Sequence, residues 1–179
     1  MRFRLADPGD AEAVAALHAD SWRRHYRGAY SDAFLDGDVL QDRIAVWTGR
    51  LRQADGSTQT VLVEDPAGAL IGFAHTVFGD DPRWGALLDN LHVRSVDKRH
   101  GIGSQLLRFT AGAVVERGTG LYLWVLEQNV DAQAFYAARG AVRVERALTT
   151  PPGGVAERLN GSPAKLRYAW SDPAVLLDG

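Results

Sequence analysis

The sequence contains no cysteine, which excludes disulfides, a thiolate nucleophile and any cysteine-ligated metal site. It has no apolar run approaching the length of a membrane span, so no membrane contact is expected. Its first residues, Met1 to Pro8, carry Arg2, Arg4 and Asp7 where a secretory leader would need an apolar stretch. A cytoplasmic location is therefore expected. Neither sign of charge is in excess: 20 basic and 22 acidic side chains give a formal net charge of -2, too little to draw the chain to nucleic acid or to an anionic bilayer. Any anion site must be local. His18, His25 and His75 show no ligand spacing, so no metal is expected.

What is present is the composition of an ordinary folded domain, with 46% apolar and 23% charged residues, far from the balance that leaves chains disordered. A length of 179 residues suits one domain with its own core. Arg2 to Leu5 alternates like a short strand, and Asp7-Pro8 looks like a helix start with Asp7 as cap. From Trp22 to Leu51 the pattern is helical and rich in aromatics. Thr60 to Glu64 and Ala69 to Phe78 read as strands joined by the turn Asp65-Pro66-Ala67-Gly68. The segment 86–93 is a further strand, followed by a Gly-containing loop and a helix from about Gly103 to Arg117 with Ile102, Leu106, Phe109 and Ala113 on its apolar face. Leu121 to Leu126 reads as a strand buried on both sides, Asp131 to Arg139 as a short helix, and 141–147 and 165–170 as the last strands. The expected class is α/β, a mixed sheet flanked by helices.

The most informative stretch is Lys98-Arg99-His100-Gly101-Ile102-Gly103-Ser104, a polar loop between a strand and a helix. The first amides of a helix lack partners within it and the helix dipole adds positive character there. Two glycines let an anion approach the backbone, and Lys98, Arg99 and His100 add charge, so the loop suits a pyrophosphate. The spacing does not match a P-loop, and the third glycine of a dinucleotide fingerprint is missing. By itself, the loop is equally readable as a tight turn with solvated basic residues.

Lys98 to Gly103 resembles the Gln/Arg-x-x-Gly-x-Gly/Ala signature of the GNAT superfamily, and Leu91-His92-Val93 is similar to its central bulged strand. Asn129, Ala132, Phe135, Tyr136 and Gly140 resemble its second hallmark, in the right order and separation. Lys98 departs from the usual Gln or Arg and cannot offer a planar fork to phosphate. The resemblance covers nearly the whole chain. It implies a single GNAT-like domain, with a mixed, mostly antiparallel sheet of about seven strands and about four helices. It also implies acetyl-CoA, or another short-chain acyl-CoA, bound between the strands that end at Val93 and Val125. By resemblance, the backbone at Leu91, His92 and Val93 would meet the pantetheine arm and thioester. Residues 98–104, including Ile102 and Ser104, would hold the pyrophosphate, Asn129 would touch the arm, and Tyr136 would lie near the sulfur.

Acyl transfer to an amine needs a neutral amine, a polarised carbonyl and a proton for the leaving thiolate. The Val93 N–H is the candidate for polarisation and Tyr136 for the acid. Asp89 is the first candidate for attracting the amine and taking its proton, because alternation places it on one face with Leu91 and Val93 unless a bulge intervenes. His92 and Glu127 are the other candidates, and solvent remains open as a base. Trp22, Tyr26 and Tyr30 are candidates for framing the acceptor, with Arg23, Arg24 and Arg27 available to an acidic group. The acceptor would be an amine of a small molecule, an amino-acid derivative or a protein, and a homodimer is possible. A non-catalytic acyl-CoA-binding module and a nucleotide-binding protein are the competing functional classes.

Overall fold

A computed structural model describes residues 1–53 and 55–178. Arg2–Leu5 (β1) leads to Asp7, whose side chain accepts from the Gly9 amide while Asp10 accepts from the Asp7 amide. This reciprocal cap and Pro8 start a 3₁₀ turn that runs into Ala11–His25 (α1). The buried stripe of α1 is Ala11, Val14, Ala15, His18, Ala19 and Trp22, so a histidine takes a core position. The aromatic-rich stretch then breaks at Gly28, where φ is +85°, and continues as Asp32–Asp36 (α2) and Val39–Arg52 (α3). That gives one more short helix than the sequence pattern suggests.

Thr58–Glu64 (β2) and Leu70–Asp81 (β3) form the expected hairpin, with the Asp65 carboxylate accepting from the Ala67 and Ala69 amides in the turn. Gly85–Val93 (β4), Ile102–Val115 (α4), Leu121–Leu126 (β5), Val130–Ala137 (α5), Val142–Leu148 (β6) and Ala164–Trp170 (β7) follow. The seven strands make one sheet in the order β1-β2-β3-β4-β5-β7-β6. All neighbours are antiparallel except β4 and β5. No helix among the described residues is long and apolar enough to cross a membrane.

One sheet face is covered by α1 and α3, which close over Trp47, Leu62 and Phe73. The other is covered by α4, whose buried residues are Ile102, Leu106, Leu107, Thr110, Ala111 and Val114. Leu106 and Leu107 are fully enclosed, each worth roughly 1.5–3 kcal/mol of burial. The expected apolar face of this helix needs correction at Phe109, which is half exposed and stacks on Phe3 at 4.8 Å instead of entering the core. A 100° step per residue puts Leu107 and Thr110 inward with Leu106 and Val114, and turns Phe109 aside.

Candidate active site

The site begins with two glycines. A Cβ on Gly85 would stand 2.2 Å from the Gly120 carbonyl oxygen, and Gly85 also has φ of +87°. Both facts reserve the position for glycine. This close approach lets the Ala86 amide donate to Gly120 at 2.9 Å and starts parallel pairing at Ala86↔Leu121 and Leu87↔Tyr122. There the pairing stops: β3 holds the rest of β4 and β7 holds the rest of β5. A cleft of about 740 Å³ opens between the diverging strands. At the far end of β4 the Arg94 amide donates to the Ile71 carbonyl. Antiparallel alternation then directs the amides of Leu91 and Val93 away from β3 and into the gap.

Pairing of β4 with β3 shifts by one residue between His75↔Asn90 and Thr76↔Leu88, leaving Asp89 as the extra residue of a bulge. The bulge corrects the simple alternation. Leu88, Leu91 and Val93 pack with the α4 core, whereas Asp89 turns to Arg50 of α3 at 2.7 Å and accepts from the Asn90 side chain at 2.6 Å. Asp89 nevertheless lines the cleft.

The anion-binding end is built by the start of α4. Arg99 has φ of +67° and Gly101, the residue capping α4, has φ of +78°. Gly101 has no atom within 4 Å of an added Cβ, so its backbone twist is what requires glycine. Gly103 is different: an added Cβ would press on the Phe135 ring at 3.2 Å, so this glycine lets α4 seat against α5. Lys98, Arg99, Gly101, Ile102, Gly103 and Ser104 all line the cleft. His100 does not belong to that lining; it is exposed and its Nδ1 lies 3.2 Å from the Asp97 carbonyl. Lys98 reaches across to His25, with 2.7 Å between Nζ and Nε2.

Arg139 joins this end without any local sequence signal. Its guanidinium lies 3.7 Å over the Phe135 ring and donates to the Ser104 hydroxyl and the Phe135 carbonyl, at 2.6 and 2.8 Å. Burial lowers its pKa from the usual arginine range, and a planar fork with no carboxylate partner among the described residues, beside a helix N-terminus, is suited to phosphate.

Asn129 caps α5, accepting from the Ala132 amide at 3.2 Å, and lines the cleft together with Tyr136. The Tyr136 ring lies edge-on to Phe135 and Trp170. Burial, with a smaller contribution from Tyr26, raises its phenol well above the ordinary range, so it holds its proton throughout neutral pH. Glu127 is placed elsewhere. It accepts from two guanidinium nitrogens of Arg146 at 2.8–2.9 Å and lines a separate depression near Gly28 and Asn160.

On the acceptor side, Tyr26, Ser21, His92 and Asp89 line the cleft. Tyr26 is pushed up to about 12, chiefly by burial and then by Asp89. The structure places Trp22 and Tyr30 behind it in a second core cluster, both 7% exposed, where they back Tyr26 and contribute no surface to the cleft lining. The three basic residues nearby are engaged: Arg23 with the Leu35 carbonyl, Arg24 with Asp20, and Arg27 with Asp32 and Asp36. His92 is joined through Nδ1 to the Ser21 hydroxyl at 2.8 Å. Burial, then the charges of His25 and Lys98, press it down to about 3. At neutral pH His92 is therefore uncharged, a hydrogen-bonding group on the cleft wall.

A family model described as the acetyltransferase (GNAT) family matches residues 14–141. A Mycobacterium tuberculosis protein named a probable N-acetyltransferase is 28% identical over 138 residues, covering 76% of either chain. An uncharacterized N-acetyltransferase of Bacillus subtilis is 27% identical over 145 residues, covering 79% of this chain and 80% of the relative. The PaiA N-acetyltransferase of Thermoplasma acidophilum, crystallised with coenzyme A, superposes with a TM-score of 0.72 at 18% identity, covering 95% of this chain and all of the other. With the family model spanning most of the sequence, the cleft between β4 and β5 falls within the matched region, and the chain belongs to the acetyltransferase (GNAT) family.

Proposed function

We propose that this protein transfers an acetyl or other short acyl group from acyl-CoA to a primary amine, which attacks directly while both substrates share the cleft. The observation that carries this reading is the splay of β4 from β5. It brings the free amides of Leu91 and Val93, the start of α4 and the Tyr136 phenol to one cavity. The residues suit acyl-CoA: amides on β4 for an extended polar arm, and helix amides with Arg139 for phosphates.

Bound acyl-CoA supplies an activated carbonyl and a good leaving group. The chain's part is positioning and electrostatics. The Val93 N–H, fixed by the β3 ladder, donates to the carbonyl oxygen without reorganising. Tyr136 donates its retained proton to the departing sulfur. Asp89, held by Arg50 and Asn90, draws the ammonium into the cleft and passes its proton outward, directly or through water. Tyr26 and the Ser21–His92 pair offer an aromatic surface and neutral polar groups to the rest of the acceptor. This would suit a small-molecule amine, an amino-acid derivative or a protein amino group.

Acetyl-CoA assayed against a broad amine library, with thiol release and product masses measured together, tests the proposal. Tight acetyl-CoA binding with no acylation of any amine would identify a binding module instead. Arg139→Ala is expected to weaken CoA binding about tenfold to a hundredfold, the range for losing a hydrogen bond to a charged group. Calorimetry reads this directly. An unchanged Kd would assign the phosphate contacts to the α4 amides alone.

A further inference from the structure

No residue of α3 lines the cleft, yet one of its side chains fixes the carboxylate on the acceptor side of it. Arg50 lies in the last turn of α3, where the helix dipole favours a cation. Arg52, in the same turn, is the ordinary case, exposed and with no ion pair among the described residues. Arg50 differs. Its guanidinium carbon stands 5.2 Å from the centre of the Trp47 ring. Trp47 is fully enclosed: its indole donates to His18 at 3.0 Å, and its ring lies edge-on to Phe73 and His75. From this platform the Arg50 Nη1 comes within 2.7 Å of Asp89 Oδ2. That nitrogen is buried and makes no aligned hydrogen bond, so what Arg50 brings to Asp89 is a positive charge at a set place. A half-exposed ion pair adds little stability, and the consequence of this one lies in geometry.

The Asn90 side chain, 6% exposed, donates to the same Oδ2 at 2.6 Å. Both contacts therefore fall on one oxygen. Oδ1 has no partner among the described residues, and Asp89 lines the cleft. Asp89 is the extra residue of the β4 bulge, unpaired with β3, so the strand ladder does little to aim its side chain. An untied aspartate turns among several staggered positions. With Oδ2 held by α3 on one side and by Asn90 on the other, Oδ1 is the oxygen left to an ammonium.

We propose that Arg50 is a positioning residue for the acceptor: from outside the cleft it holds Asp89 by Oδ2 so that Oδ1 meets the incoming amine. The inference rests on the acyl-CoA reading above and on the part given there to Asp89. Arg50 touches neither substrate, and its loss is felt only through Asp89. It acts on the amine and leaves acyl-CoA, bound from the β4 amides to the start of α4, undisturbed.

The test is steady-state kinetics of the full-length protein with acetyl-CoA and the amine that the library assay finds acylated fastest. Arg50→Gln is expected to lower kcat/KM for the amine about tenfold, as displacing a reacting group by a fraction of an ångström does. KM for acetyl-CoA and Kd for CoA should not move. Arg50→Lys keeps the charge and should stay within about threefold of wild type, and Arg52→Gln, the same charge change two residues on, should match wild type. The deciding measurement is a double-mutant cycle. In an Asp89→Asn background, Arg50→Gln should change kcat/KM by less than about twofold, because no carboxylate is left to aim. Equal losses in the two backgrounds, which is what a merely weakened fold produces, would overturn the proposal, as would wild-type kinetics in Arg50→Gln. A Lys variant as poor as the Gln one would overturn the part given to charge. Full activity in Asp89→Asn removes this inference and leaves acyl transfer intact, whereas failure of the wild-type protein to acylate any amine removes both.

Discussion

Tyr136→Phe is expected to lower kcat for amine acylation by about 10²- to 10⁴-fold, the usual contribution of a positioned general acid, while CoA still binds. The hydroxyl is the only group that differs between the two side chains. The edge-on contacts of the ring with Phe135 and Trp170 should survive the change, so folding and cofactor binding are insulated from it. Burial raises the phenol well above its ordinary range, which has a kinetic consequence. Across neutral and mildly alkaline pH the wild-type enzyme keeps the proton that the leaving sulfur needs, and no fall in kcat over that range should trace to this residue. Single-turnover measurements at saturating amine isolate the step. A loss smaller than about tenfold would mean that solvent protonates the sulfur, and Tyr136 would then be a core aromatic that happens to line the cleft.

That Gly101, Gly103, Asn129 and Phe135 would share a cleft with Tyr136 was legible because each is marked locally in sequence. The glycines of 101 and 103, the asparagine cap at 129 and the aromatic pair at 135 and 136 each lie within one turn of the element they serve. The fold class was legible for a similar reason: turn residues such as Asp65 and Gly68, and the apolar run of β5, mark element ends and burial by themselves. Three features were not. The bulge at Asp89 is a pairing shift between two strands, and strict alternation within one strand contains no trace of it. Arg139 enters the site through Ser104, 35 positions away, and reads in sequence as the solvated end of a short helix. Trp22 and Tyr30 carry the aromatic character of an acceptor pocket, yet α2 folds back over them, and only Tyr26 reaches the cleft lining. The same signal, aromatics at helical spacing, serves core and pocket alike, and the helix that decides between them lies later in the chain.

Three histidines held neutral by the fold should make this protein unfold in mild acid, ahead of its carboxylates. His18 and His75 are 1% exposed, and His92 is half-buried on the cleft wall against Ser21, Phe73 and His18. Burial presses His75 to about 4, with Arg50 adding to it, and His92 to about 3; His18 is driven down in the same direction by burial and then by His92. Charging His18 would also put a proton on Nδ1, which accepts from the Trp47 indole at 3.0 Å. An unfolded histidine titrates near 6.5. Below that pH the unfolded chain binds protons that the folded chain refuses, so stability that is complete above about 6.5 is lost as pH falls toward the folded values. A group that stays neutral in the fold removes about 1.4 kcal/mol per pH unit over that window, so His75 and His92 together remove roughly 3 kcal/mol per unit, and His18 acts in the same direction. Against a total stability of about 5–15 kcal/mol, this is enough to unfold the chain between roughly pH 5 and pH 4. The carboxylates depressed by partners, Asp10 through Arg4 and Asp81 through the Arg83 amide, start from 3.8 and lose their contribution only below that. The window therefore separates the two causes. Urea melts at half-unit steps from pH 7.5 should show a steep decline beginning near 6.5, and His75→Gln should reduce its slope by about one third. A flat profile down to pH 5 would mean that these histidines take up protons in the folded state, through a rearrangement of the Trp47–His18 and Ser21–His92 contacts.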